Sequence, residues 1–141
     1  WRHRPDLIDP DLLGRLSHDP VAAVRVAVAS ACAACSAPDV LVALAADPVE
    51  EVRAMGGLAA LLSGARDVLP ADTPRASLAA AAETVLPRAE LQRRATDTSA
   101  DRRRAAGIVL ALLGDPAARR MAEGDPVPAV RKAIRAALPE A

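Results

Sequence analysis

The stretch APDVLVALAADPVEEVRAMGGLAALL, Ala37–Leu62, reads as a short helix, a proline-stopped corner and a longer helix. At the corner, Asp47 can accept the free backbone N–H groups of a helix start. Pro48 is expected at the first helical position, where a missing N–H costs nothing. Glu50, three residues past Asp47, completes a capping-box pattern and brings negative charge to the helix's positive end. Behind it Val52, Met55, Ala59 and Leu62 recur at helical spacing as one apolar stripe.

The rest of the chain echoes this stretch. DPVAAVRVAVASA starts at Asp19, DTPRASLAAAAETVL at Asp72, DTSADRRRAAGIVLALL at Asp97 and DPVPAVRKAIRAAL at Asp125. From Asp19 to Asp47 is 28 residues, and the following steps are 25, 25 and 28. Six residues after the aspartate stands Arg25, Arg53, Arg103 or Arg131, with Leu78 replacing the arginine in the middle copy. Self-similarity at such a period is the signature of a solenoid whose neighbouring units bury a shared core. The expected fold is therefore all-α: a right-handed α-solenoid of about five short-helix/long-helix repeats. One domain is expected over residues 1–141, irregular around 63–74.

Composition agrees. Ala, Leu and Val dominate the 141 residues, Phe and Tyr are absent, and Trp1 is the sole aromatic. Short apolar side chains fill little volume, so such a core needs closely spaced helices, and alanine favours the helix intrinsically. The 12 prolines mostly punctuate corners. Apolar runs such as Gly107–Gly114 fall short of the roughly 18 residues a membrane span needs. No targeting segment is recognisable, and a cytoplasmic, bacterial protein is expected. A first residue that is Trp rather than Met suits an excerpt or a processed chain.

Helices are expected over Asp11–His18, from Asp19-Pro20 with Val21, Val24, Val28 and Cys32 on one face, and over Arg75–Leu86, Arg88–Ala95, Asp101–Leu113, Pro116–Ala122 and Val127–Leu138. Ser63–Pro74 leaves room for about one turn, around Arg66–Leu69. Gly56, Gly57 and Gly107 fall inside long helices, where each costs up to about 1 kcal/mol against alanine. Close approach of a neighbouring backbone is the reading preferred over a hinge.

APDVLVALAADPVEEVR, RPDLIDPDLLGRLSHDPVAAVR and VLPRAELQRRATDTSADRRR resemble leucine-rich repeat variant units, and equally compact HEAT-like repeats of the phycobilisome-lyase type. The resemblance covers almost the whole chain and implies a right-handed superhelix of helical pairs, the short helix 3₁₀ in the leucine-rich-variant case. It implies no particular chemistry, because such solenoids serve many purposes.

Cys32 and Cys35 form a C-A-A-C pair, which can hold half a metal site or act in redox chemistry. An iron–sulfur module of the kind linked with the variant repeats needs four thiolates, and the chain has two. His3 and His18 have no spacing that would complete a Cys2His2 set. Both cysteines continue an apolar stripe, so packing is favoured and no cofactor is expected.

The repeated arginines admit two readings: a ladder bonding corner aspartates, or a row of cations for phosphate or acidic partners. The ladder is preferred, because Asp19, Asp47, Asp72, Asp97 and Asp125 recur in step with them. Residues 1–70 hold six basic against nine acidic side chains, and residues 71–141 twelve against nine. The basic half suggests a second function, binding of a nucleic-acid backbone. Zero overall charge and the lack of stacking aromatics argue against it. No nucleophile–base, phosphate-loop or metalloprotease pattern appears, so no enzyme is expected. The reading is a non-catalytic scaffold for another protein or peptide, with Arg53, Arg103, Arg104, Arg131, Lys132 and Arg135 as candidate contacts.

Overall fold

A computed structural model describes residues 10–33, 37–70 and 72–139. Every regular element among them is an α-helix: α1 (Pro10–Leu16), α2 (Ala22–Cys32), α3 (Pro38–Leu44), α4 (Glu50–Ser63), α5 (Arg75–Val85), α6 (Arg88–Arg94), α7 (Ala100–Leu112), α8 (Pro116–Gly124) and α9 (Pro128–Ala137). Short and long helices alternate through α4, as the sequence pattern requires. The described residues gather into two compact units, one ending at Val85 and one beginning at Leu86.

In the first unit α2, α3 and α5 all pack on α4. Consequently α4 is buried nearly all round, with Val52, Ala54 and the whole run Met55–Leu62 inside, rather than along a single stripe. Alanines and glycines make this possible, since only small side chains let three helices close on a fourth. Leu41, Leu44, Leu58 and Leu61 fill the remaining space and are almost fully buried. Each such side chain contributes about 1.5–3 kcal/mol through burial. On α2 the expected face shifts by part of a turn: Val28, Ala29, Ala31 and Cys32 are buried, while Val21 is 55% exposed and Val24 half-buried. In the second unit α7 takes the central place. Ala105–Leu112 is buried, and α6, α8 and α9 pack around it.

The corner geometry differs from expectation in one respect. Val49, not Asp47, is the N-cap of α4, and Glu50 is its first residue. Val21 and Val127 hold the same place before α2 and α9, and Ser99 before α7. Asp47 Oδ1 accepts the N–H of Val49, two residues on, at 2.9 Å. It therefore closes an Asx turn ahead of the helix instead of capping the helix itself. No capping box forms, and Glu50 accepts instead from Ser77 Oγ of α5 at 2.6 Å.

Residues 64–70 hold no helical turn at Arg66–Leu69. Gly64, at φ 84°, ends α4 in the left-handed region that glycine enters without strain. The N–H groups of Ala65 and Arg66 both return to Ala60 O, at 2.9 and 3.1 Å, and turn the chain back along α4. Pro70 then lies against Gly57.

All three interior glycines mark close approaches. A Cβ on Gly56 would sit 2.6 Å from the Leu44 carbonyl carbon and 2.8 Å from the Ala45 nitrogen, both backbone atoms of the α3 end. A Cβ on Gly107 would meet the tips of Ile134 and Met121, which can move. Gly56→Ala should therefore destabilise the protein by about 1–3 kcal/mol, through overpacking that outweighs the gain in helix propensity. Gly107→Ala should cost less, and Gly107→Ala/Ile134→Val, which removes Cδ1 of the neighbour but leaves its Cγ1, should recover part of the loss. Urea unfolding of the three variants checks this.

Candidate functional site

The repeated aspartates and arginines meet in a recurrent four-way junction. Arg25 donates from Nε to Asp47 Oδ2 at 2.9 Å and from Nη2 to Asp47 Oδ1 at 3.3 Å, while its Nη1 donates to the Asp19 carbonyl at 2.7 Å. Arg103 repeats the arrangement, with Asp125 at 2.9 and 3.3 Å and the Asp97 carbonyl at 3.0 Å. In both cases the arginine joins its own corner to the corner 22 residues after it. The carboxylate oxygen that faces Nη2 also accepts the N–H two residues on, Val49 or Val127. Arg53 keeps the inner bond, to the Asp47 carbonyl at 3.1 Å. Its Nε turns to Thr73 Oγ1 at 3.1 Å, with Asp72 at 3.8 Å. Arg131 keeps the bond to its own corner carbonyl, Asp125 O.

These are planar forks on planar carboxylates, the geometry in which a guanidinium bonds most strongly. They are also sheltered: the side chains of Arg103 and Asp125 are 13% and 4% exposed. The bond from Arg103 holds the Asp125 carboxyl below its ordinary range, helped by the Val127 N–H. In turn Asp125 raises the affinity of Arg103 for its proton. Asp97 is lowered chiefly by the Ser99 N–H, then by the charge of Arg102. Glu90 is lowered to about 2 by hydrogen bonds from Arg93 and then Arg94 on the next turn of α6.

Of the six candidate contact residues, the structure commits Arg53 and Arg103 to junctions and sets Arg131 against Asp125 O. Arg135 is exposed, and its Nη2 reaches the Ala122 carbonyl near the end of α8 at 2.8 Å. Arg104 pairs loosely with Asp101, at 3.7 Å, and its buried Nε has no acceptor among the described residues. Lys132 is exposed and makes no ion pair among the described residues.

Cys32 is buried in the core face of α2, as the packing reading requires, whereas Cys35 and His3 lie outside the described residues. No group of three or more potential metal ligands occurs among the described residues, and no helix among them is long and apolar enough to cross a membrane.

One residue escaped the sequence reading. Asp115 is the N-cap of α8, accepting from the Ala117 N–H at 2.8 Å with Pro116 at the first helical position. It is buried, and it also meets Gln92 Nε2 at 3.2 Å and Arg88 at 3.5 Å. The Gly-Asp-Pro at 114–116 is the signal for it, hidden because that corner opens a short helix outside the main repeat register. Open cavities of ≈ 400 and ≈ 380 Å³ flank α8, and Arg120 lines both. The first also has Gln92, Thr96 and Met121 in its wall, the second Arg119, Glu123 and Leu138.

No protein-family model, curated protein or solved structure matches the chain.

Carboxyls held below their ordinary values bind protons more weakly in the folded than in the unfolded chain. Their stabilisation is present above the unfolded values and is lost as pH falls through the folded ones. For Glu90 that window runs from about 4.5 down to about 2. Carbon-detected NMR titration should place Asp97, Asp125 and Glu90 below ordinary carboxyls, and Arg103→Met should move Asp125 upward while leaving Glu90 in place.

Proposed function

We propose that the chain is a helical-repeat scaffold, stacked as a right-handed solenoid of about five degenerate pairs, that binds another protein or peptide. The observation that carries this reading is the junction itself. Arg25 and Arg103 each clasp the corner one repeat ahead with the same atoms at the same distances. A bond that is formed alike in both units and joins one corner to the next is what a stacked array would use. The short helices are α-helical, which favours the compact HEAT-like form over the leucine-rich variant.

The same junctions bear on the partner. Arginines that would form a cation row for a phosphate backbone are used inside the protein. What remains outward is of mixed character. Leu12, Val42 and Val68 are exposed, with Asp39, Glu51 and Asp67, in the first unit; Arg119, Arg120 and Lys132 are exposed in the second. Apolar and charged groups of both signs suit a protein surface better than a uniform polyanion. Nucleic-acid binding through the basic second unit is the alternative, favoured by the exposed cations there: Arg88, Arg93, Arg102, Arg119, Arg120, Lys132 and Arg135.

Fluorescence anisotropy with duplex DNA and with RNA, titrated in salt, separates the two. The scaffold reading predicts no salt-dependent affinity, together with protein adducts from photo-crosslinkers placed at Val42 and Lys132 in cells. Tight binding that falls steeply with salt, and is lost in Arg119→Glu/Arg120→Glu/Lys132→Glu, would overturn it in favour of the alternative.

A further inference from the structure

The junction leaves two complementary halves unused. In each filled case the arginine's Nη1 lies on its own corner carbonyl and its Nε edge faces a group of the following corner, a carboxylate or the Thr73 hydroxyl. Arg131 has the first bond, to Asp125 O, but no acceptor on its Nε–Nη2 edge among the described residues. Conversely Asp19 closes its turn with the Val21 N–H at 2.8 Å, as Asp47 and Asp125 do, but receives no guanidinium among the described residues. Asp97 also lacks the arginine of the preceding repeat, where Leu78 stands, yet Arg102 sits 3.6 Å from it. Among the described residues, Asp19 is the turn-closing corner carboxylate with no arginine on it and Arg131 the corner arginine whose outer edge is open, while Asp72 has only Arg53, at 3.8 Å.

Net charge points the same way. The unit up to Val85 holds seven basic and eleven acidic side chains, formal charge −4; the unit from Leu86 holds eleven and seven, formal charge +4. Two copies would therefore attract when the first unit of one meets the second unit of the other.

We propose that a second copy of this chain docks head-to-tail on the first, with Arg131 of one clasping Asp19 of the other as Arg25 clasps Asp47. This rests on the reading of the junction as the device that stacks repeats. The contact is heterologous, so each copy keeps one free half and association proceeds beyond a dimer unless a ring closes.

Sedimentation velocity of the full chain over a wide concentration range tests the proposal. The average mass should rise with concentration at low salt and fall as salt is added. Asp19→Asn keeps an acceptor for Val21 while removing the charge, and Arg131→Lys keeps a donor for Asp125 O while removing the fork. Each should weaken self-association about tenfold or more with unchanged helicity. Each variant retains the half that the other lacks, so an equimolar mixture should form a heterodimer and nothing larger. A wild-type chain that stays monomeric throughout overturns the proposal, as does self-association indifferent to both substitutions. Thermal unfolding of Arg103→Met, read in parallel, reports the internal junction: a monomeric wild type with a destabilised Arg103→Met chain refutes docking and leaves the stacking reading intact.

Discussion

A carboxylate that closes a turn with one backbone N–H and also receives the arginine of the preceding corner is the constraint on which the rest depends. Each oxygen of Asp47 and of Asp125 has a partner. One bond fixes the direction in which a long helix leaves the corner, and the others fix its distance from the preceding corner. Because the arginine also holds its own corner carbonyl, two turns 28 residues apart are tied to each other. That tie matters in a protein whose core is built from small side chains. Alanine- and glycine-rich helices give up contact area, so their spacing has to be set by something other than bulk.

The consequence is visible in α4 and α7. Each is enclosed by three others, and each carries glycines where a neighbour comes closest, Gly56 beneath the end of α3 and Gly107 beneath Ile134. Helix propensity is lost there and packing distance is gained. The cationic side chains spent in junctions no longer define a surface. On this account the proposed partner contact belongs to residues outside the repeat signature, which diverge from copy to copy and so can carry specificity.

Much of this was legible in the residues. The interval of 25–28 residues between aspartates located the helices to within a few positions, because proline and aspartate restrict backbone geometry locally and irrespective of context. The pairing of arginine with aspartate followed from their fixed offset. What the pattern missed was tertiary. Asp47 looks like a helix cap, but the carboxylate faces the Arg25 guanidinium and accepts one N–H two residues on, so Val49 takes the cap position. A single apolar stripe on α4 gave no warning of burial on every side, since alanine and glycine read the same on an exposed face as in a core. Asp115 lay out of register with the repeat and so had no copies to draw attention to it. The family resemblance suggested stacked pairs, and the atoms of the junction now give that suggestion a physical basis to test.

The most direct test of the central claim is a double-mutant cycle on the second unit: Arg103→Met, Asp125→Asn and the combined variant, compared by urea unfolding. A linking junction predicts that each single change destabilises and that the pair loses clearly less than the sum of the two, because either change alone already breaks the same bond. Strictly additive losses, or single changes without effect, would show that the two residues act independently and that the corners are held together by something else.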